Sequence, residues 1–520
     1  MKRPGLDSFA VLTPAEMVDA DRLALAGGIT GAWLMENAGQ AVKSVVLANY
    51  PGIQRAVILC GPGNNGGDGY VVARLLRQLG IDAIVHCSGR PKPGTDAQTA
   101  SLRWKGDVFD LPALELRRGD VVIDGLYGAG FAGELRGANA AAAQMVNEAD
   151  LPVIAIDLPS GLSGLTGKGA CIRADHTVTF FRKKPGHLLF PGRQMCGTLH
   201  VADIGIPSCV LDEIAPSLWE NRPNLFEALL PEPDSETHKY RRGAAGVFSG
   251  GAAATGAARL SAIAAARAGA GAVTVFGPAD ALPELAAQLT SVMIRRVDNA
   301  ADAAMALEDA KLTALALGPG FGRHDLLRQI TLLALGSGVP RGLVLDADVF
   351  SAFAREPEIL FKAIASSASH VVLTPHEGEF QRVFRAISLL PISKVEKARQ
   401  AAALSGAAIL YKGPDTVIAA PGGRAAVNTN GGPELATAGS GDVLAGIIAG
   451  LLAQGLPAFE AACAGAHLHG EAGATAGRGL IAEDLAAVIR TPSAAPHPVP
   501  DLPPQEAGRR WRVAPDEGQR

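Results

Sequence analysis

The sequence is poor in cysteine and in net charge, and each shortage excludes a class of protein. Its six cysteines are scattered over 520 residues, and no two form a Cys-x-x-Cys pair. This argues against a disulfide scaffold and against a structural zinc site. A formal net charge of −4 provides no basic surface for nucleic acid. We therefore expect reduced thiols and no nucleic-acid partner.

Long hydrophobic runs are also missing. The most apolar stretch, residues 443–452, is too short to cross a bilayer, and residues 1–14 contain no apolar signal core. We therefore expect no membrane partner and a cytoplasmic location. Aromatic residues make up only 5% of the chain, but hydrophobic residues make up 48%. This is enough to build sizeable cores and excludes wholesale disorder.

Strand and helix patterns alternate in two stretches, which are separated by a polar segment with two prolines at 231–238. Apolar runs followed by polar loops and helical patterns are typical of parallel doubly wound sheets. We predict an α/β protein with one such domain at 1–228, a second at 229–490 and a disordered tail at 491–520.

The individual elements follow from hydrophobic periodicity. In the first domain we predict helices over 15–50 and 70–79 and strands over 56–60, 83–86, 121–124 and 153–157. In the second domain we predict strands over 245–248, 272–276, 314–317, 342–345, 371–373 and 408–411, with helices over 252–268 and 443–454.

A glycine-rich segment from Gly61 to Gly69 directly follows the first predicted strand. We predict a loop whose glycines allow positive φ and let the backbone approach a ligand closely. Phosphate groups bind at such strand-to-helix junctions, and Asn64, Asn65 and Asp68 add polar side chains. The segment is neither the Rossmann fingerprint nor a Walker loop, so a tight turn without a ligand is the alternative.

Two later strands of the first domain end in aspartate, at Asp124 and Asp157, and Ser160 follows closely. The carboxyl ends of parallel strands line one crevice, so we expect these groups to meet Asn65 there. One carboxylate could act as acid or base. Hard oxygen ligands would suit K⁺, Mg²⁺ or Ca²⁺ better than zinc. For each aspartate alone, a helix cap is the alternative.

In the second domain, Gly439, Gly441 and Asp442 precede an apolar helical pattern. Free amides at a helix N-terminus suit an anion. A carboxylate beside them could deprotonate a hydroxyl for phosphoryl transfer. Upstream, residues 412–416 could contact a nucleotide, and the segment around His376 could form a polar loop. A plain helix cap is again the alternative.

Taken in order, the motifs of the first half resemble the NAD(P)HX epimerase family over about residues 10–225. They are Met35-Glu-Asn-Ala-Gly39, the glycine-rich segment, Asp124 with Gly128 and Gly130, Ile156-Asp-Leu-Pro-Ser-Gly161, Lys184-Pro-Gly186 and Asp203-Ile-Gly-Ile-Pro207. The resemblance implies a Rossmann-like doubly wound sheet, an acid/base role for Asp157 and K⁺ ligands at Asn65, Asp124 and Ser160. It implies contacts to NADHX and NADPHX by Asn64, Asn65, Gly66, Gly67, Asp68, Gly128, Ala129, Gly130, Phe131 and Asp157.

The second half resembles the ribokinase-like family, and within it the NAD(P)HX dehydratases, over about residues 238–490. The markers are His238-Lys239, Gly250-Gly251, Thr255-Gly-Ala257, Ala268-Gly-Ala-Gly271, Gly318-Pro-Gly-Phe-Gly322, Asp346-Ala-Asp348, the His376 segment, residues 412–416 and Gly439 to Asp442. Two departures are Lys239-Tyr-Arg-Arg-Gly243, where Lys-Gly-x-x-Gly is expected, and Ser440, where threonine is commoner.

This second resemblance implies a catalytic base at Asp442, with ADP and Mg²⁺ as cofactors. It implies substrate contacts at Ala257, Gly320, Gly322, His376 and Asp442. It implies nucleotide contacts at Lys412, Gly413, Pro414, Asp415, Thr416 and Gly441. We also expect a homo-oligomer.

Together the resemblances imply a chain that repairs hydrated NADH and NADPH. The first domain would interconvert the R and S epimers, and the second would dehydrate the S form with ADP. The sequence leaves two alternatives. The second domain could be a kinase for a vitamin or sugar, fused to a dinucleotide-binding module; a persistent phosphorylated product would favour it. The first domain could be a binding module without catalysis, and Asn65, Asp124 and Asp157 count against that.

Overall fold

The computed structural model describes residues 7–231, 239, 241–322 and 324–490. Two sheets with helices packed on them make up this part of the chain. His238, most of the predicted linker and the predicted tail at 491–520 lie outside the described residues. Among the described helices, none combines the length and apolar character needed to cross a membrane.

The first sheet has seven parallel strands in the order β3-β2-β1-β4-β5-β6-β7. This is the predicted doubly wound arrangement. The strands are β1 Arg55–Cys60, β2 Asp82–Cys87, β3 Val108–Asp110, β4 Asp120–Gly125, β5 Val153–Ile156, β6 His176–Phe180 and β7 Thr198–Ala202. The helices are α1 Pro14–Ala26, α2 Gly31–Asn49, α3 Asn64–Gln78, α4 Asp96–Arg103, α5 Ala138–Glu148, α6 Pro185–Leu188, α7 Gly192–Met195 and α8 Val210–Ile214.

The second sheet has ten strands in the order β11-β10-β9-β12-β13-β14-β15-β16-β17-β8, all pairs parallel except those that β16 makes. The strands are β8 Leu218–Glu220, β9 Ala244–Phe248, β10 Ala272–Gly277, β11 Met293–Arg296, β12 Leu312–Leu317, β13 Gly342–Leu345, β14 His370–Leu373, β15 Ala408–Tyr411, β16 Val417–Ala419 and β17 Ala425–Val427. The helices are α9 Gly256–Arg267, α10 Leu282–Gln288, α11 Ala300–Leu307, α12 His324–Gly336, α13 Asp348–Ala352, α14 Pro357–Ala365, α15 Glu377–Val383, α16 Arg385–Ser388, α17 Lys394–Ser405, α18 Ser440–Ala453, α19 Ala458–Ala476 and α20 Ala482–Val488.

Two helix predictions in the first domain were wrong at their boundaries. The predicted helix over 15–50 is two helices, because Gly28 adopts φ +92° after α1 and the Thr30 side chain caps α2. The helix predicted from Tyr70 begins at Asn64. Among residues 61–69, all of which are described, no glycine has positive φ, so the predicted loop is mostly the first turns of α3.

Small residues bring α9 and α18 close together and so position the start of α18. A Cβ on Gly446 would lie 2.2 Å from the main-chain oxygen of Ser261, and one on Gly450 would lie 2.4 Å from that of Ala265. Only glycine permits this approach. The Ser261 hydroxyl donates a 2.8 Å hydrogen bond to the main-chain oxygen of Asp442. The alanine- and glycine-rich composition therefore fixes the backbone that carries Asp442.

One strand joins the two halves of the chain. β8 precedes the predicted boundary at 228, yet it pairs in parallel with β17 at the edge of the second sheet. The N–H of Val11 donates to the main-chain oxygen of Leu218, and Val11 also forms a bridge with Lys183. The first domain therefore contacts the second through main-chain pairing, and the boundary itself stays a prediction.

Candidate active sites

A cavity of about 610 Å³ lies at the carboxyl edge of the first sheet, where the strand order reverses between β1 and β4. Ligand crevices of doubly wound sheets form at this position. The segments after β1, β4 and β5 all reach the cavity. Eight predicted substrate contacts line it: Asn64, Asn65, Asp68, Gly128, Ala129, Gly130, Phe131 and Asp157.

The two other predicted contacts, Gly66 and Gly67, lie in the first turns of α3. A Cβ on Gly66 would come within 1.9 Å of the main-chain oxygen of Gly61, and one on Gly67 within 2.6 Å of Met35 Cε. Both glycines are buried. Their small size is therefore needed to pack α3 against its neighbours, and their contact with substrate stays a prediction.

Asp157 follows β5, and its carboxylate accepts hydrogen bonds from three donors. Oδ1 accepts from Lys184 Nζ at 2.7 Å and from Thr179 Oγ1 at 3.0 Å. Oδ2 accepts from the N–H of Ala129 at 2.8 Å. His187 Nε2 lies 2.8 Å from the main-chain oxygen of Asp157. Sequence reasoning missed Thr179 because it missed β6, which ends beside this site. It also missed His187, which lies in the short helix α6.

Lys184 decides the charge of Asp157. Burial disfavours the carboxylate, but the Lys184 ammonium and its hydrogen bond outweigh burial and lower the pKa of Asp157 to about 2. Only 2% of the Lys184 side chain and 15% of the Asp157 side chain are exposed. Asp157 also has φ +64°, a left-handed conformation that is uncommon for a residue other than glycine. Asp157 is therefore ionised at neutral pH and places a negative charge in the cavity.

Three further carboxyl groups line the same cavity, those of Asp21, Asp68 and Asp96. Burial, with the nearby charges of Asp157 and Asp21, raises the pKa of Asp68 well above its ordinary value. Burial likewise raises the pKa of Asp21 to about 6, an effect that Lys184 partly opposes. Burial therefore favours the neutral form of Asp68. Asp21, on α1, was not identified from the sequence, because a helix position before the first strand carries no motif signal.

The three predicted K⁺ ligands lie at the same sheet edge. Asp124 Oδ2 accepts from the Ser160 N–H at 2.7 Å, and Oδ1 accepts from the Ser160 hydroxyl at 2.5 Å. Asp124 is fully buried, and no cationic side chain of the described residues pairs with it. Asn65 Oδ1 lies near Gly128, and Asn65 Nδ2 is buried without a hydrogen-bond partner.

These features fit a bound monovalent cation. A buried carboxylate without a counter-charge is costly, and so is an unpaired amide. Turning the Asn65 amide by 180° would present its oxygen in place of the unpaired nitrogen. With the oxygens of Asp124 and Ser160 it would form a set of hard donors.

In the second domain, Lys412 lies among carboxylates at the carboxyl edge of the sheet. Its Nζ donates to Asp346 Oδ1 at 2.8 Å and lies 3.9 Å from Glu379 Oε2. Burial disfavours its charge, but Asp346 and Glu379 outweigh burial and raise the pKa of Lys412. Burial raises the pKa of Glu379 to about 7, although Lys412 opposes this effect. The Lys412 ammonium thus interacts with both the Asp346 and the Glu379 carboxyl groups.

Asp442 lies in the first turn of α18, after Gly439, whose φ is +85°. Burial and the charge of Asp346 raise the pKa of Asp442 to about 6, although Lys412 opposes this shift. Asp442 is therefore mostly ionised at neutral pH, with a pKa near the range suited to general-base catalysis. A Cβ on Gly441 would lie 3.6 Å from Lys412 Nζ, so the helix start and the lysine face one another.

The predicted substrate contacts of the second domain fall into two groups. A Cβ on Gly320 would lie 2.9 Å from the Cβ of Ala257, and the Gly322 N–H donates to Asp348 Oδ2 at 2.9 Å. Gly320 and Gly322 lie in the loop after β12, where the order of the second sheet reverses, and Ala257 lies beside that loop on α9. His376 caps α15 through Nδ1, and 55% of its side chain is exposed. Its ring is therefore open to a ligand.

The predicted nucleotide segment, residues 412–416, follows β15. It is closed on itself by hydrogen bonds between Thr416 Oγ1 and both main-chain groups of Gly413. Asp415 does not point into open space: its Oδ1 accepts from Lys394 Nζ at 2.6 Å and its Oδ2 accepts from the N–H of Phe190 at 2.9 Å. Pro414 lies between them in the sequence. Contact of this segment with nucleotide stays a prediction.

Comparison with known proteins divides the chain in the same way. The family described as YjeF-related protein N-terminus matches residues 31–186, and the family described as NAD(P)H-hydrate dehydratase matches residues 245–489. A solved structure titled as the ADP/ATP-dependent NAD(P)H-hydrate dehydratase from Bacillus subtilis co-crystallized with ATP/Mg²⁺ is 30% identical. It covers 50% of this chain and 92% of that chain, with a TM-score of 0.44.

Two relatives match almost the whole chain. The bifunctional NAD(P)H-hydrate repair enzyme Nnr of Moorella thermoacetica is 37% identical over 506 residues, which cover 90% of this chain and 92% of that protein. The enzyme of the same name from Vibrio cholerae is 36% identical over 476 residues, which cover 88% and 92%. The resemblance drawn from the motifs is thereby confirmed, and the chain belongs to the family of bifunctional NAD(P)H-hydrate repair enzymes.

Proposed function

We propose that the cavity of the first sheet interconverts the R and S epimers of NADHX and NADPHX, and that the Asp442 site dehydrates the S epimer with ADP. The observation that carries the proposal is one cavity, at the carboxyl edge of the first sheet, that is lined by Asp157, ion-paired with Lys184, and by the buried Asp68. Exchanging a hydroxyl between the two faces of a ring needs one proton donor and one acceptor.

In the first site, Asp68 donates its proton to the departing hydroxyl of the hydrate. The ring nitrogen pushes out water and forms a cationic C=N bond. Water then adds to the opposite face of the ring and gives up a proton to Asp157, and solvent in the cavity returns that proton to Asp68. The ionised Asp157 also stabilises the cationic ring electrostatically.

K⁺ belongs to this first site in the proposal. Asn65, Asp124 and Ser160 would hold it, and the ion would balance the charge of buried Asp124 beside the substrate. The unpaired amide of Asn65 and the absence of a cationic partner for Asp124 among the described residues support this placement.

In the second site, Asp442 removes the proton from the substrate hydroxyl, and the oxygen attacks the terminal phosphate of ADP. AMP leaves and a phosphorylated hydrate forms. The phosphate then departs from that carbon while the neighbouring carbon loses a proton, which restores the ring double bond and yields NAD(P)H. Lys412 and the amides at the start of α18 stabilise the charge on the transferring phosphate.

Mg²⁺ would enter the second site with the nucleotide. Among the described residues, no group of three or more His, Cys, Asp or Glu side chains could hold a metal ion. Mg²⁺ in such sites is held by one or two carboxylates together with substrate phosphates, and Asp346 and Glu379 provide them. When bound, the ion neutralises charge on the phosphates.

The test is direct conversion. The purified chain is mixed with both hydrate epimers, K⁺ and Mg²⁺, with ADP or ATP in parallel, and the return of reduced-nicotinamide absorbance is followed. Recovery of both epimers with ADP supports both activities and the donor. Recovery of the S share alone would reject the epimerase. A phosphorylated product that persists would favour a small-molecule kinase instead.

We also propose that the protein works in the cytoplasm as a homo-oligomer. Light scattering after size-exclusion chromatography measures the assembly, and a single-chain mass would reject the oligomer. Fractionation of cells that carry an epitope-tagged copy tests the location.

A further inference from the structure

Residues of the first domain contact the nucleotide segment of the second. The N–H of Phe190 donates to Asp415 Oδ2 at 2.9 Å. Arg193, on α7, donates through Nη2 to the main-chain oxygen of Thr429 at 2.5 Å. Thr429 follows β17, and the preceding Asn428 donates its N–H to the main-chain oxygen of Thr416 at 2.8 Å. The C-terminal end of the nucleotide segment is thus tied to one short stretch of the first domain, directly at Asp415 and through Asn428 and Thr429 at Thr416.

Both carboxylate oxygens of Asp415 accept hydrogen bonds from the protein. Lys394 Nζ donates to Oδ1 at 2.6 Å and also lies 3.4 Å from the main-chain oxygen of Lys412. Phe190 occupies Oδ2, and the side chain is only 9% exposed. A buried carboxylate with both oxygens paired has little left to offer a nucleotide, whose phosphates are themselves negative. Asp415 is therefore placed to orient residues 412–416.

We propose that Asp415 and Arg193 are positioning residues, which fasten residues 412–416 to the first domain and so set the affinity of the second domain for nucleotide. The inference rests on the proposed nucleotide role of that segment. Loss of either contact frees a loop whose ordering must then accompany binding, which weakens binding without changing the reacting groups.

The same stretch of the first domain begins at the epimerase site. Lys184, which pairs with Asp157, immediately precedes α6, and His187 within α6 contacts the main-chain oxygen of Asp157. Phe190 and Arg193 follow within a few residues. The contact between the domains therefore starts from the backbone that carries the first site, although neither Phe190 nor Arg193 belongs to that site.

The experiment compares Arg193→Met with Arg173→Met. Arg173 is an exposed arginine of the first domain, and its side chain makes no contact with the second domain. ADP affinity is measured by calorimetry with Mg²⁺, alongside the KM for ADP and the kcat of dehydration. We expect Arg193→Met to raise the Kd and KM for ADP about fivefold, the worth of one hydrogen bond, with kcat within about twofold. Arg173→Met should match the parent, and Arg193→Lys should restore part of the affinity.

Asp415→Ala extends the test and should raise the same Kd about tenfold or more, because a charge-assisted contact is lost as well. Thermal unfolding without nucleotide verifies that each variant folds. If Asp415→Ala does not fold, the comparison of Arg193→Met with Arg173→Met tests the proposal. Equal ADP affinity in Arg193→Met, Arg173→Met and the parent would overturn the proposal, and so would a loss confined to kcat. If the parent binds ADP but does not turn over, the proposed function is rejected. The Kd values of the variants for ADP still test the contact between the two domains in that case.

Discussion

Both sites place an aspartate at the carboxyl edge of a parallel sheet beside a lysine, but the pKa values of the two aspartates move in opposite directions. That of Asp157 falls to about 2 and that of Asp442 rises to about 6. Lys184 donates to Asp157 at 2.7 Å, whereas Lys412 donates at 2.8 Å to Asp346 and not to Asp442. The direct ion pair with a lysine, which Asp157 makes and Asp442 does not, therefore decides whether the effect of burial on the pKa of the aspartate is outweighed.

This difference suits the two reactions. An aspartate that is ionised over the whole working range stabilises a cationic ring electrostatically but cannot donate a proton. In the proposed mechanism the donor is Asp68, which is buried in the same cavity. A base with a pKa near 6 removes a proton from a hydroxyl and can release it again after phosphoryl transfer.

The largest expected effect is a loss of dehydration without any loss of epimerisation. Asp442→Asn removes the base, and we expect the dehydration rate to fall by about 10³-fold, with epimer interconversion unchanged. Chromatographic separation of the epimers measures the second quantity independently. The matched control is Asp325→Asn, on an exposed face of α12. A dehydration rate within tenfold of the parent would remove Asp442 from the proposed chemistry.

Lys184→Met tests the origin of the low pKa of Asp157. Without the ammonium, burial is unopposed and the pKa of Asp157 rises. We expect epimerisation at neutral pH to fall by about 10²-fold and to recover partly as pH rises. Stability should fall by about 3–5 kcal/mol, because a buried partner is left uncompensated, and chemical denaturation measures this.

The control for that variant is Lys168→Met, an exposed lysine of the same domain. Epimerisation that stays at the parent rate in Lys184→Met, with the same dependence on pH, would show that the ion pair is not what prepares Asp157.

Most of the fold could be predicted from the sequence, because buried parallel strands such as β1 and β13 are unbroken apolar runs. β6 and β7 were missed because polar residues such as Thr177, Thr179 and His200 interrupt their apolar pattern. β8 was missed because three residues carry no periodicity, and its place in the second sheet depends on tertiary pairing.

The candidate sites were predictable where a motif follows a strand. Asp124 and Asp157 were identified in this way and lie at the expected sheet edge, whereas Asp442 was identified from the glycines before an apolar helical pattern and lies in the first turn of α18. Asp21 and Thr179 were not, because they reach the cavity only through packing of α1 and β6. The opposite pKa shifts of Asp157 and Asp442 also could not be foreseen, since they depend on distances to Lys184 and Lys412.

The pH dependence of the two activities should differ by about tenfold per unit below pH 6. Dehydration should rise with pH up to about 6 and then level off, because Asp442 is the active base only when deprotonated. Epimerisation should show no loss from protonation of Asp157 in this range. Identical pH profiles for the two activities would contradict the comparison.

Gly128→Ala gives the smallest expected effect. The added Cβ would lie 2.8 Å from Asp157 Oδ2 and 3.1 Å from Asn65 Oδ1, whereas a Cβ on Gly52, an exposed residue outside the cavity, would have nothing within 4 Å. We expect epimerisation to fall by about fivefold in Gly128→Ala, since crowding shifts the carboxylate. Gly52→Ala should leave epimerisation unchanged, and dehydration should be unchanged in both. An equal response of the two glycine variants would argue against crowding of Asp157.

The most direct test of two sites acting in series uses Asp157→Asn and Asp442→Asn together. Alone, Asp157→Asn should rapidly recover only the S share of a mixture of epimers, and Asp442→Asn should recover none. Mixed in one tube with ADP, K⁺ and Mg²⁺, they should restore recovery of both epimers, because each supplies the activity that the other lacks. Rapid recovery of NAD(P)H by Asp442→Asn alone, or a mixture that recovers no more than the S share, would contradict the account.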